Sequence, residues 1–234
     1  MDIANLRKLN EARAARRAAM LVKDIGTGED LFLEEGNLPP LGLEEAVAKA
    51  FQTGKSGSIE GAGKLWFLNV HLPPPRLVAI GAVHISQALA PMARIAGFDM
   101  EIVDPRTAFA TAERFPDVRL HAEWPEQVLN ERPLDAYTAL AALTHDPKID
   151  DWPLKAALDA GCFYVGALGS RKTHARRRER LVEAGVSMEA FERIHAPIGL
   201  DIGASSPEEI AVAILAQIIA GFRSRGLTAR EAAA

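Results

Sequence analysis

The sequence predicts an α/β protein: a Rossmann-like, doubly wound parallel sheet preceded by a small α+β N-terminal unit. Three observations carry that expectation. Beyond residue 76, short apolar runs of strand length alternate with segments of helical spacing, the signature of parallel βαβ units covered on both faces. Right-handed crossovers then place helices on both sides of one sheet. Residues 1–72 lack that alternation, and Pro73, Pro74 and Pro75 separate the two patterns, because each proline fixes φ and removes a backbone donor. The expected domains are therefore 1–72 and 76–226. At 234 residues the chain buries roughly 70% of its unfolded surface and needs no disulfide staples.

In chain order, residues 1–19 read as a basic helix with Ile3, Leu6 and Leu9 on one side. A mitochondrial presequence is the competing reading, and Asp2 and Glu11 count against it. Residues 18–25 and 31–35 flank Gly26–Asp30 as a hairpin with a glycine-containing loop. Leu43, Ala46, Val47 and Ala50 have helical spacing, and 64–71 alternates as a strand. In the second unit, strands are expected at 77–82, 100–103, 118–122, 136–143 and 163–167. Helices are expected after the first strand through Ala96, then at 125–130, 152–160, 173–184 and 207–224. Ser206, Pro207 and Glu209 form a capping box with proline at the first helical position. The tail from Ala229 reads as frayed.

Charge and composition exclude several classes. With 27 Lys+Arg against 31 Asp+Glu and a net charge of -4, the chain lacks the basic excess of nucleic-acid binders. The longest nearly apolar run, 210–222, carries Gln217 and is shorter than the ~20 residues of a spanning helix. The N-terminus has no apolar signal core. A single cysteine, Cys162, rules out an internal disulfide and a four-thiolate zinc site. It reads as a small buried hydrophobe, with nucleophile or sulfur carrier as the lesser alternative. The expectation is a soluble cytoplasmic protein with no membrane or nucleic-acid partner and no metal site.

Four stretches carry polar chemistry. The first βα turn holds Gly81, Ala82, Val83, His84 and Ser86. A dinucleotide fingerprint needs a second glycine so that the backbone approaches the pyrophosphate, and Val83 stands there. The acidic residue expected ~20 positions later is present as Asp104, followed by Pro105 and Arg106. In the second stretch, 143–147, His145 and Asp146 sit at a strand end, where they could bind an anion or metal or act as acid and base, or form an ordinary Asp-Pro turn. Residues 166–173 combine Gly166, Gly169, Ser170, Arg171 and Lys172 at a helix start, an anion cradle or a simple cap. The basic run continues through Arg176, Arg177, Arg178 and Arg180 and reads as a solvated helix face. Gly199, Asp201 and Gly203 lie on a loop that could bring backbone amides and a carboxylate to the same crevice.

The ordered set 76–82, 103–106, 144–146, 166–171, 197–203 and 206–211 resembles the C-terminal Rossmann domain of the XdhC/CoxI family over about residues 76–225. That resemblance implies an accessory protein that binds molybdopterin-type molybdenum cofactor, protects it during sulfuration and delivers it to an apo molybdenum hydroxylase such as xanthine dehydrogenase. The cofactor is then carried rather than used, with no turnover by the carrier itself. By analogy Gly81 and His84 line the first turn, and Asp104 and Arg106 the second strand end. His145, Asp146, Gly169, Ser170 and Arg171 complete the crevice, and Gly199 and Asp201 close it. The partners implied are the apo-enzyme, a separate sulfurtransferase or N-terminal-half protein, and a second copy in a homodimer. Two departures stand out: Val83 replaces the family's usual glycine, and 1–72 contains no cysteine. The N-terminal part reads as shortened, with the glycine-rich 54–63 as a remnant of the cysteine-bearing segment. The rival reading is an NAD(P)-dependent oxidoreductase of a small substrate; a third is an interaction module docking through the 171–180 helix.

Overall fold

A computed structural model, described over residues 2–225, divides the chain into two compact units. One comprises residues up to Pro73 together with 223–225, the other Pro74–Phe222.

The first unit contains α1 (Ile3–Ala14), β1 (Ala19–Asp24), β2 (Asp30–Glu34), α2 (Glu44–Thr53), β3 (Gly57–Gly61) and β4 (Lys64–His71). Its antiparallel sheet has the order β2-β1-β4-β3. The first helix stops short of the expected 1–19 because Arg16 turns left-handed, φ 54°. The Arg17 N–H then closes onto the Ala12 carbonyl at 2.8 Å, a Schellman-type end. The glycine-rich segment has local structural tasks. Gly54 caps α2 with φ 70°, and β3 is an edge strand that no apolar run announces. Ala62 and Gly63, with φ 51° and 73°, make the positive-φ turn of a two-residue hairpin into β4.

The second unit contains β5 (Arg76–Ile80), α3 (His84–Ile95), β6 (Asp99–Val103), β7 (Arg119–His121), α4 (Pro125–Glu131), β8 (Thr138–Ala142), α5 (Pro147–Asp159), β9 (Tyr164–Ala167), α6 (Arg171–Glu183), α7 (Met188–Glu192), β10 (Ile194–His195) and α8 (Pro207–Ser224). The sheet order is β10-β9-β8-β5-β6-β7, every pairing parallel. Counted from β5 this is 3-2-1-4-5-6, the Rossmann order, with its reversal between β5 and β8. The central strands are buried on both sides, and successive residues serve two cores. Leu77, Ala79, Ala139 and Ala141 pack with α3 and α8, while Val78, Ile80, Leu140 and Ala142 pack with α4 to α7. The capping box forms as expected: Ser206 Oγ accepts the Glu209 N–H at 3.2 Å, and Glu209 returns a carboxylate to the Ser206 N–H.

Three differences from expectation lie in this unit. α5 begins at Pro147 instead of 152, because the Asp146 side chain caps it by accepting from the Lys148 N–H at 3.0 Å and Pro147 takes the first turn. α6 begins two residues early, capped by Ser170. The short α7 and β10 have no counterpart among the expected elements. The expectation for the tail from Ala229 lies outside the described residues. Among the described residues, no helix is long and apolar enough to cross a membrane.

Candidate functional site

In an open α/β sheet the ligand crevice lies beyond the carboxyl ends of the strands where their order reverses. Here that point is the gap between β5 and β8, and the first residue past β5 is Gly81. Its φ is 121°, and a Cβ there would stand 2.9 Å from Thr144 Cγ2. Glycine is required because the two strand ends converge. The Ser86 hydroxyl donates to the Gly81 carbonyl at 2.6 Å, and Arg114 donates to the Ala82 carbonyl at 2.9 Å. The turn is thus held from both sides. Val83 is the N-cap of α3 in extended backbone (φ -102°) with no side-chain cap, so the first N–H groups of that helix are left for another acceptor. His84 is exposed on the first turn.

Asp104 follows β6 and is 0% exposed. Its carboxylate accepts from the Ala82 N–H at 2.8 Å, the Arg106 N–H at 2.9 Å, Arg106 Nε at 2.9 Å and Arg106 Nη2 at 2.7 Å. Burial alone would raise this carboxyl, but the Arg106 guanidinium and the two backbone N–H groups hold it below the usual carboxylate range. Arg106, partly exposed, stacks its guanidinium 4.7 Å from the Phe109 ring centroid. The negative charges of Asp146 and Asp150 also act on Arg106, so the ends of β6 and β8 share one electrostatic environment.

Past β8, His145 is exposed in the left-handed region, φ 64°. The acid that organises this turn is one the motif reading missed. Asp150, on α5 and 1% exposed, accepts from the Thr144 hydroxyl at 2.7 Å and the His145 N–H at 3.0 Å. Burial pushes its carboxyl up to about 6, against the opposing pull of Thr144, of Arg177 and of the backbone N–H groups. Its folded-state pKa therefore lies above the unfolded value, so the folded protein binds the extra proton between about pH 4 and 6. Stability from this group falls as pH rises through that window, by about 3 kcal/mol once Asp150 is ionised. Asp150→Asn is expected to gain stability relative to wild type as pH rises from 4 to 7; a difference in melting temperature that stays flat with pH would sink this assignment.

Past β9, Gly169 has φ 135°, and a Cβ would meet Thr173 Cγ2 at 3.1 Å. Ser170 caps α6 by accepting the Thr173 N–H at 3.2 Å, and Arg171 and Lys172 are exposed. The run that follows is not the wholly solvated face the sequence suggests. Arg177 is 2% exposed and donates from Nη2 to the Leu168 carbonyl at 3.0 Å. The spacing Thr173, Arg177, Leu181 marks the inward face of α6, a signal hidden among the neighbouring arginines. Gly199 is seated on α8: its φ is 97°, a Cβ would come 3.2 Å from Ala213 Cβ, and its N–H donates to Gln217 Oε1 at 2.8 Å. Asp201 lies exposed on the loop beyond. Cys162 is buried and free, its thiol pushed up to about 12 by burial, which leaves no thiolate at neutral pH.

The topology thus places Gly81, Asp104, Arg106, His145, Asp146, Gly169 and Ser170 at the carboxyl ends of β5, β6, β8 and β9. Asp146 and Ser170 are occupied as helix caps.

These features define a Rossmann-type domain with a polar, cation-bearing crevice and a sealed acidic residue. The XdhC Rossmann domain family model matches residues 77–218. The chain belongs to the XdhC family. It is 35% identical over 168 residues to the uncharacterized protein YqeB of Escherichia coli, covering 70% of this chain and 30% of that protein. It is 30% identical over 217 residues to a Bacillus subtilis protein named as a probable xanthine dehydrogenase component, covering 91% and 63%. With the molybdenum cofactor insertion chaperone PaoD of Escherichia coli it shares 33% identity over 146 residues, covering 62% and 40%. The chain therefore spans less than two thirds of the length of each of these relatives. A crystal structure from Bacillus halodurans, described as a xanthine dehydrogenase, matches with a TM-score of 0.63 at 23% identity over 96% of this chain and 66% of the other; that likeness shows the fold.

Proposed function

We propose that the chain binds a molybdopterin-type molybdenum cofactor in the crevice at the ends of β5, β6, β8 and β9 and delivers it to an apo molybdenum hydroxylase such as xanthine dehydrogenase. The names of two relatives, one a cofactor insertion chaperone and one a probable xanthine dehydrogenase component, support the reading. The observation that carries it within this chain is the sealing of Asp104. In a nicotinamide-binding Rossmann domain this residue takes the ribose diol. Here it is fully buried and already accepts four hydrogen bonds, which weighs against the NAD(P)-dependent oxidoreductase.

The remaining groups suit an anionic cargo. The uncapped N–H groups of α3, the outward edge of Arg106 and the first turn of α6 present donors and positive potential. Arg106 carries a charge that Asp104 largely neutralises, so it orients a ligand more than it traps one, as a carrier that must release its cargo requires. The only cysteine is buried and protonated, so sulfuration of the cargo falls to a separate sulfurtransferase. Transfer is tested by incubating the cofactor-loaded protein with cofactor-free xanthine dehydrogenase and following xanthine oxidation. Activity above that given by free cofactor alone is expected; no gain would refute delivery.

A further inference from the structure

We propose that the cleft between the 145–147 turn and α6 is a binding site for a multiply charged phosphoryl-type anion, anchored by Arg177. The geometry of the cleft supports this site whatever the identity of the cargo. Arg177 is 2% exposed, and only its Nη2 has a partner, the Leu168 carbonyl. Nε and Nη1 are buried with no hydrogen-bond acceptor. Buried donors left unpaired are costly, and those of a guanidinium more so. Arg177 lines a cleft of about 340 Å³ together with His145, Lys172, Arg176 and Arg180. An acceptor-rich anion bound there would supply the acceptors that Nε and Nη1 lack.

The surrounding charges select its type. Arg180 is held by Asp151 through two hydrogen bonds and forms a neutralised wall. Lys172 and Arg176, one helical turn apart on the exposed rim, have no carboxylate within ion-pair distance among the described residues. From α5, Asp150 is buried outside the lining of the cleft, its carboxylate engaged by the Thr144 hydroxyl and the His145 N–H; its negative charge acts on Arg177 and offsets part of the cost of burying the guanidinium. Lys172, Arg176 and Arg177 line the cleft with no carboxylate bonded to them among the described residues, which favours a multiply charged anion over a single carboxylate. Guanidinium donors suit tetrahedral oxygens. His145 lines both this cleft and the end of β8, so the phosphoryl group can belong to the cargo or to a free oxyanion; the chemistry recognised is the same.

The test is isothermal titration of the full chain with inorganic pyrophosphate at low ionic strength. One-to-one binding is expected, with affinity at least about tenfold weaker in Lys172→Ala/Arg176→Ala, since two charge-assisted contacts are lost. Arg178→Ala, exposed on the same helix and outside the cleft, is expected to change affinity less than about twofold. Arg177→Gln, if folded by circular dichroism, is expected to bind no pyrophosphate; should it fail to fold, the rim double variant still decides. No binding by wild type, undiminished binding by the double variant, or an equal loss in Arg178→Ala would overturn the proposal. A competition arm identifies the source: displacement of pyrophosphate by molybdopterin cofactor assigns the cleft to the cargo's phosphate, and simultaneous binding assigns it to a free oxyanion. Pyrophosphate binding without any cofactor binding would uphold the cleft and refute the cargo reading separately.

Discussion

Asp104→Ala is expected to lower the melting temperature by roughly 10 °C, from a loss of about 3–5 kcal/mol, and to abolish retention of any ligand in the crevice. The carboxylate is fully buried, and alanine leaves the Ala82 N–H and three N–H donors of Arg106 without their acceptor. The Ala82 contact fixes the first turn, so its loss frees the start of α3. Asp104→Asn keeps the size but replaces one acceptor with an NH2 group facing donors; it is expected to lie between alanine and wild type. Thermal unfolding followed by circular dichroism checks both, and a fall of less than about 2 °C for Asp104→Ala would show that the turn does not depend on this carboxylate.

Gly81→Ala is expected to cost about 3 kcal/mol, combining backbone strain of about 1–2 kcal/mol with overpacking of about 1–3 kcal/mol. At φ 121° an L-residue is strained whatever the space, and its Cβ would sit 2.9 Å from Thr144 Cγ2. The shift would travel further than one contact. Thr144 also donates to Asp150 and accepts from the Asp146 N–H at 3.0 Å, so displacing it disturbs the cap of α5 and the turn at His145. Thr144→Ser removes Cγ2 and keeps the hydroxyl. Combined with Gly81→Ala it is expected to restore the packing share of the loss and none of the backbone share. No recovery in the double variant, measured by urea denaturation, would place the whole cost in the backbone.

The strand and helix alternation after residue 76 is legible because parallel strands buried on both faces read as short continuous apolar runs, as β5 and β8 do; β6 reads less cleanly because the buried Glu101 interrupts it. What escaped were elements defined by pairing or capping instead of pattern. β3 is glycine-rich and exists through its register with β4; β10 is two residues long and needs β9 beside it. The start of α5 was hidden because Asp146 and Pro147 read equally well as a turn. In the candidate site, spacing located Asp104 but could not say that it is consumed, since the Arg106 contacts depend on how the loop after β6 folds back and the Ala82 N–H comes from the turn after β5. Arg177 and Asp150 escaped for a related reason. Each lies among like-charged neighbours, Arg176 and Arg178 or Asp151, and only the packing of α5 against α6 distinguishes the buried charge from the solvated ones.

Anaerobic titration of the purified protein with molybdopterin cofactor, NAD and NADP in parallel decides between a pterin-binding and a nicotinamide-binding crevice. Saturable, near-stoichiometric binding of the pterin cofactor is expected, with none of either nicotinamide, because Asp104 is sealed. Nicotinamide binding without pterin binding would contradict the pterin-binding reading.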